Sequence, residues 1–273
     1  MQELIQGLSI VMIARDASRY LEESLRSLAA VAAEIVFVDT GSTDATMEIA
    51  SRHGCRIYRF EWQDDFSRAK NFGIEQARYR WIMSVDSDEV LDREEGKVII
   101  QKALAGGSAP AFLVYQDNLT DTGEVQQQMA LRLFRNDPRI RFSNPVHECI
   151  SESLFFHWQD FFPPILDIHL KHYGYLSGNR KGKLQRNIAL LQSWLDVDPD
   201  NIIANYKLGN TYFAMGREEA ALNYLERAFR DFDAGSDTRT LQLLPVFAVN
   251  YHRALISAGK VEKAKAFERM MIS

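Results

Sequence analysis

The chain has 273 residues, 46% hydrophobic and 25% charged, with a formal net charge of -5 and a pI near 5.7. That length suits one large domain and a smaller one, and the acidic balance argues against nucleic acid as the main partner, since phosphate binding needs a basic stripe. Cys55 and Cys149 are the only cysteines and form no CxxC pair, so neither a disulfide framework nor a zinc site is expected, and a reducing compartment is.

The opening stretch MQELIQGLSIVMIARD lacks the basic-then-apolar layout of a signal peptide. No later stretch approaches the ~20 apolar residues of a membrane span. A soluble, cytoplasmic protein is therefore expected. LSIVMI (8–13) reads as a strand and SRYLEESLRSLAAV (18–31) as an amphipathic helix. EIVFVD (34–39) is a continuous apolar strand, followed by TGSTD and the helix ATMEIASRH. CRIYRF (55–60), FSRAKNFGIEQA (66–77) and RWIMSV (80–85) continue as strand, helix and strand. Strands buried on both faces and separated by helices imply a parallel α/β sheet, whose ligands sit beyond the carboxyl ends of the strands.

The pattern changes near residue 109. AFLVYQDNLTDTGEVQQQMALRLFR reads as a hairpin turning at Asp121-Thr122-Gly123, and RIRFSNPVHECI and PPILDIHLKHYGY as further extended segments. The aromatic run LFFHWQDFFPPIL (154–166) reads as core, with an acceptor-side lid or a peripheral membrane contact as the alternative. Beyond Gly178 the chain is helical. Leu208-Gly209, Tyr212, Gly216, Ala221, Leu225 and Ala228 match tetratricopeptide spacing, and Leu255, Gly259 and Ala264 occupy equivalent slots in a degenerate second copy. This places the domains at 1–177 and 178–273.

The fourth strand runs into Asp86-Ser87-Asp88-Glu89, three acids in four residues. Asp92 with Glu95 reads separately, as a capping box starting a helix. In an extended segment Asp86 and Asp88 would face one point, where two carboxylates repel unless a cation joins them. Hard oxygen donors suit Mg²⁺ or Mn²⁺ shared with phosphates. Solvated loop aspartates are the plain alternative. Asp39, at another strand end, is placed to accept from a base N–H or a ribose hydroxyl. Thr43 and Asp44 read as helix caps. Arg68 and Asn71 lie three apart on one helical face, with Lys70 nearby.

IVFVDTGSTDAT, DFSRAKNFGIEQA, WIMSVDSDEVL, RLFRNDPRIRFSNPVHECI and HYGY occur in the order found in inverting family 2 glycosyltransferases of the GT-A fold, which the chain resembles from residue 8 to about 175. It is similar to a bacterial branch with a helical tetratricopeptide tail, including lipopolysaccharide-core and peptide glycosyltransferases. The resemblance implies an α/β GT-A (nucleotide-diphospho-sugar transferase) domain followed by an all-α tetratricopeptide-like domain. It also implies a nucleotide-sugar donor such as a UDP-sugar, Mn²⁺ or Mg²⁺, and a glycan or peptide acceptor. Arg68, Asn71, Asp39, Asp86 and Arg15 become the nucleotide-contacting set. One departure is that Ala14-Arg15-Asp16-Ala17 replaces the family's asparagine-acid pair, with Asp16 standing for the asparagine.

On the same resemblance, His172 in HYGY joins Asp86 and Asp88 as a metal ligand, with His169 its weaker rival. Glu148 is the candidate general base, and His147 the alternative or a substrate contact. Glu148 pairing with Arg132, Arg135 or Arg141 is the structural alternative, and those arginines could instead face the diphosphate. Asp117 and Asn118 fall near a hairpin turn where polarity is expected anyway. The helical tail would hold the acceptor, a protein partner or a second copy. Rival readings are a sugar-nucleotide nucleotidyltransferase, disfavoured by a first loop without glycine, and a non-catalytic adaptor, which would not need the acids. A dinucleotide oxidoreductase is disfavoured by the missing GxGxxG.

Overall fold

The computed structural model describes residues 5–92, 100, 108–174, 180–232 and 238–272, and the chain divides into two units, Met1–Gly178 and Asn179–Ser273. In the first unit, β1 (Ile5–Ala14) lies between β2 (Glu34–Asp39) and β4 (Tyr79–Ser84), parallel to both, and β3 (Arg56–Arg59) extends the sheet beyond β2. Alternation along these strands builds a core on each face. Ile10, Met12, Phe37 and Trp81 pack on one side with Leu21, Leu25 and Leu28 of α1 (Ser18–Leu28). Val11, Val36, Val38 and Ile82 pack on the other with Ile74 of α3 (Phe66–Glu75). The α1 leucines repeat at helical spacing, and each such burial contributes roughly 1.5–3 kcal/mol.

The helix α2 (Thr46–Arg52) connects β2 to β3. At Gly73 a Cβ would lie 2.7 Å from Val11 Cγ1 and 3.1 Å from Val38 Cγ2, so α3 presses its backbone against β1 and β2. Asp65 caps α3 by accepting from Arg68 N at 2.9 Å. α1 is capped from another loop: Asp44 Oδ2 accepts from Ser18 N at 3.1 Å.

Beyond β4 the expected parallel sheet becomes mixed. The hairpin of β6 (Ala111–Leu119) and β7 (Val125–Arg135) forms around the expected turn, and β7 runs antiparallel to β4. β8 (Ile165–His172) lies parallel to β6, and β5 (Glu89–Leu91) pairs antiparallel with β8, giving the order β3-β2-β1-β4-β7-β6-β8-β5. A strand at Glu89–Leu91 is too short for periodicity to show. RIRFSNPVHECI is not a strand: it keeps one isolated bridge, Ser143 to Cys149, and is otherwise held by side chains. The aromatic run contains a short helix, α4 (Ser151–His157), with Leu154 buried in the core while Phe156 and Phe162 are exposed. The helix expected after Asp92 falls, apart from Ile100, outside the described residues.

The second unit contains α5 (Arg180–Val197), α6 (Ile202–Ala214), α7 (Glu218–Phe232), α8 (Thr238–Ser257) and α9 (Val261–Ile272). Leu208, Tyr212, Ala221, Leu225, Ala228, Leu255 and Ala264 are all buried. Gly216 and Gly259 take left-handed conformations, with φ of 68° and 72°, at the turns of the two helix pairs. Gly209 packs where a Cβ would sit 2.7 Å from Leu225 Cγ, which explains the small residue at that slot.

Candidate active site

Because the chain runs β1, β2, β3 outward and returns to β4 on the other side of β1, the carboxyl ends of β1, β2 and β4 open on a topological switch point. Asp16, Asp39 and Asp86 stand at those three ends. The first two loops are tied together. Asp16, at φ 49°, accepts from Thr43 N at 2.7 Å, and its own N–H donates to Ser42 Oγ at 3.0 Å. The Thr43 bond leads the effects that lower the Asp16 pKa. Asp39 closes its own turn, accepting from Gly41 N at 3.2 Å and Ser42 N at 3.1 Å.

At the end of β4 lies a polar centre. Lys70, only 3% exposed, reaches Asp86 Oδ1 at 3.2 Å and Glu148 Oε1 at 2.7 Å. Arg132 Nη2 donates to Asp86 Oδ2 and to Glu89 Oε1, each at 2.9 Å. Glu89, fully buried, also accepts from Asp86 N at 2.8 Å and from Gln116, which in turn accepts from Gln128. Burial alone would raise the Asp86 pKa, but Arg132 and Lys70 outweigh it and hold the carboxyl far below the usual carboxylate range. For Glu89 burial prevails over Arg132, with Asp86 adding repulsion, and its pKa is raised.

Glu148 reaches Lys70 because its segment is laced to α3. Asn71 and Phe142 exchange two hydrogen bonds of 2.9 Å, Ser67 Oγ donates to Asn144 O at 2.5 Å, and Phe66 N donates to Pro145 O at 2.8 Å. The backbone here bends, with Asn144 at φ 75° and His147 at φ 57°, so the exposed His147 and the half-buried Glu148 are not neighbours on an extended chain.

Ser87 and Asp88 form a turn, so the extended geometry expected to bring both aspartates to one point does not hold. Asp86 turns to the two cations, whereas Asp88 Oδ1 faces His172 Nε2 at 3.5 Å. The register of β5 on β8 sets Glu89 opposite His172, which explains how the far end of the unit arrives here. Asp88, backed by Glu89 and Asp86, raises the His172 pKa against the lowering effect of burial. Among the described residues, no three His, Cys, Asp or Glu side chains close on one point as a ready cation site.

The remaining candidate residues are placed as follows. Asn71 braces the 140–149 segment through both ends of its amide. Arg68 points outward to Gln63 at 2.9 Å. Arg15 is exposed beside Asp16. His169 and Asp117 pair with each other at 2.7 Å, one residue out of phase with Gln116, Asn118 and His172 in the strand alternation. His169 and Asp117 therefore lie on the other face of the sheet from His172 and Asn118. Glu148 forms its direct ion pair with Lys70, and Arg132 acts on it through its charge; Arg135 lies over the Trp81 ring, and Arg141 donates to Asp137 and Ile140 carbonyls.

Gln116 carries no signal in the sequence, and Lys70, Arg132 and Glu89 stand out there only through their neighbours. A signal existed for Lys70: it lies three residues before Gly73, the residue that faces the sheet.

The parallel half-sheet, its switch point and the strand returning from residue 172 define an α/β fold of the GT-A class. The chain belongs to glycosyl transferase family 2, whose family model matches residues 9–157. It is 31% identical over 96% of its length to a TPR repeat-containing protein of Synechococcus elongatus, and 27% identical over 84% to the SPbeta prophage-derived glycosyltransferase SunS of Bacillus subtilis. It spans 64% and 54% of those relatives' own lengths. In fold it is similar to S. aureus TarS 1-349 in complex with UDP-GlcNAc, with a TM-score of 0.51 at 14% identity over 95% of this chain and 91% of that one. No helix among the described residues is long and apolar enough to cross a membrane.

Proposed function

We propose that the protein is an inverting glycosyltransferase, assisted by a divalent cation, that moves a sugar from a UDP-sugar to a hydroxyl or thiol of a glycan, lipopolysaccharide core or peptide. The observation that carries this reading is the polar centre at the end of β4. Two buried cations hold Asp86 ionised, and an oxygen donor, Asp88, stands beside a nitrogen donor, His172. Family membership and the fold shared with a UDP-GlcNAc-bound enzyme support a uridine nucleotide as the donor's carrier.

The donor set fits a cation. Asp88 and His172 are 3.5 Å apart, long for a hydrogen bond, yet two ligands at about 2.0–2.1 Å from one ion lie no more than about 4.2 Å apart. A carboxylate with an imidazole favours Mn²⁺ over Mg²⁺, which prefers oxygen alone. Bound there, the ion supplies Lewis-acid stabilisation of charge on the departing diphosphate. Asp39 takes a base N–H or a ribose hydroxyl at the switch point, flanked by Arg15. Glu148, oriented by Lys70, removes the acceptor proton as the acceptor bonds to the anomeric carbon and the bond to the diphosphate breaks. His147 contacts the acceptor. The helical unit at 178–273 binds the acceptor, a protein partner or a second copy and takes no part in the chemistry, which proceeds on the cytoplasmic side.

Thermal shift tests this directly. A ligand at 100 times its dissociation constant stabilises by about 2.7 kcal/mol. UDP with Mn²⁺ should raise the melting temperature clearly, UDP with EDTA much less, and Asp88→Ala should erase the difference. Equal shifts in Mn²⁺ and EDTA, unaltered by Asp88→Ala, would overturn the cation reading.

A further inference from the structure

We propose that Asn118 is a positioning residue that fixes the tautomer of His172, so that the ring nitrogen beside Asp88 is the one able to take a cation. The inference rests on the cation reading above and adds a determinant that the acids alone do not supply.

Asn118 is buried, at 5% exposure, on the same alternation of β6 as Gln116. Its register pairs it with His172 on one side and Gln126 on the other. The amide Nδ2 donates to the Gln126 carbonyl at 3.1 Å. That carbonyl has no hydrogen to give, so flipping the amide would set oxygen against oxygen. Asn118 Oδ1 is thereby turned to His172 Nδ1, 2.7 Å away. An amide oxygen only accepts, so Nδ1 must carry the hydrogen. In the neutral ring Nε2 then holds a lone pair, and it faces Asp88 Oδ1 at 3.5 Å. Two acceptors aimed at each other are joined by a proton or by a metal ion, and the second case needs this tautomer. With the opposite tautomer an N–H would fill the space, and the nitrogen would be closed to a cation. The chain of bonds from the Gln126 carbonyl through Asn118 to His172 is the outer support that orients a ligating imidazole.

The test uses the full chain with two variants, Asn118→Leu, which removes the acceptor, and Asn118→Asp, which keeps it. Mn²⁺ alone is titrated and followed by electron paramagnetic resonance, and ¹⁵N-histidine spectra report the ring nitrogens without metal at a pH where the ring is neutral. Asn118→Leu should weaken Mn²⁺ binding about 10–100-fold while leaving UDP affinity in EDTA unchanged. Asn118→Asp keeps an acceptor for Nδ1 but loses the donor to the Gln126 carbonyl, so it should bind Mn²⁺ more tightly than Asn118→Leu, and wild-type His172 should show hydrogen on Nδ1. Wild-type Mn²⁺ binding that survives Asn118→Leu would overturn the inference and spare the cation reading. No Mn²⁺ binding by the wild type would sink both. If Asn118→Leu does not fold, the wild-type spectrum decides, since hydrogen on Nε2 in the neutral ring overturns the proposal.

Discussion

Lys70 Nζ stands 2.7 Å from Glu148 Oε1, a contact between helix α3 and a bent segment more than seventy residues later in the chain. The same ammonium lies 3.2 Å from Asp86, so one buried cation links the proposed base to the proposed nucleotide side of the crevice. The two ends should separate by mutation. Glu148→Gln should lose about 10²–10⁴-fold in turnover, the usual share of general-base assistance, with UDP affinity nearly unchanged. Lys70→Met should lower both and cost about 3 kcal/mol of stability, because two carboxylates lose a buried partner. Transfer rates, UDP titrations and melting curves on both variants check this. Near-normal turnover in Glu148→Gln would hand the base role to His147.

Folded Glu89 keeps its proton to a higher pH than the unfolded chain, where the carboxyl titrates near 4.5. Between those values the folded state binds more protons, so this group's contribution to stability falls as pH rises, by at most about 1.4 kcal/mol per pH unit. Glu89→Gln removes that slope. Relative to wild type, the variant's melting temperature should climb from about pH 4.5 towards neutrality, whatever constant offset the altered hydrogen bonds impose. A difference that stays flat across this range would show that Glu89 titrates alike in both states.

Gly73→Ala adds a methyl 2.7 Å from Val11 Cγ1. Alanine favours a helix over glycine by about 1 kcal/mol, whereas overpacking costs about 1–3 kcal/mol. The clash should win. Moderate destabilisation is expected, together with weaker UDP binding as α3 and Lys70 lift from the sheet. Val11→Ala in the same chain should recover part of both. Failure of the second change to restore UDP binding would disconnect the packing of α3 from the site.

Among the described residues, the cores of the first unit and of the helical unit share no member. A chain ending at Gly178 should therefore fold and bind UDP with nearly the affinity of the whole. Calorimetric titration of UDP into both forms measures it, and a folded truncation blind to UDP would show that the helices complete the nucleotide site.

The framework was legible because strands such as Glu34–Asp39 carry unbroken apolar runs, and the helical unit because small residues recur at fixed slots. The site was legible only where function leaves unusual residues in a row, as at Asp86-Ser87-Asp88-Glu89. Its inner wiring was not. Whether Asp86 and Asp88 converge depends on a turn at Ser87 that no local preference announces. Lys70 looks like any surface-helix lysine until Gly73 shows which face meets the sheet. Asn71 and Asn118 each satisfy partners more than forty residues away, Phe142 and His172, and only the assembled register reveals which of them braces a loop and which orients an imidazole.

The pairing of β5 with β8 has a consequence for the order in which the protein is made. During synthesis Asp86, Asp88 and Glu89 leave the ribosome well ahead of Arg132 and of the strand that ends in His172. At roughly 5–20 residues per second, the 83 residues from Glu89 to His172 take about 4–17 s. Until Gln116 and Arg132 follow, the acids have only Lys70 among these partners and must stay in water, and His172 joins last. The nascent chain can close the helices over its parallel strands early, but the edge that seals the polar centre is also among the last pieces of the first unit to exist.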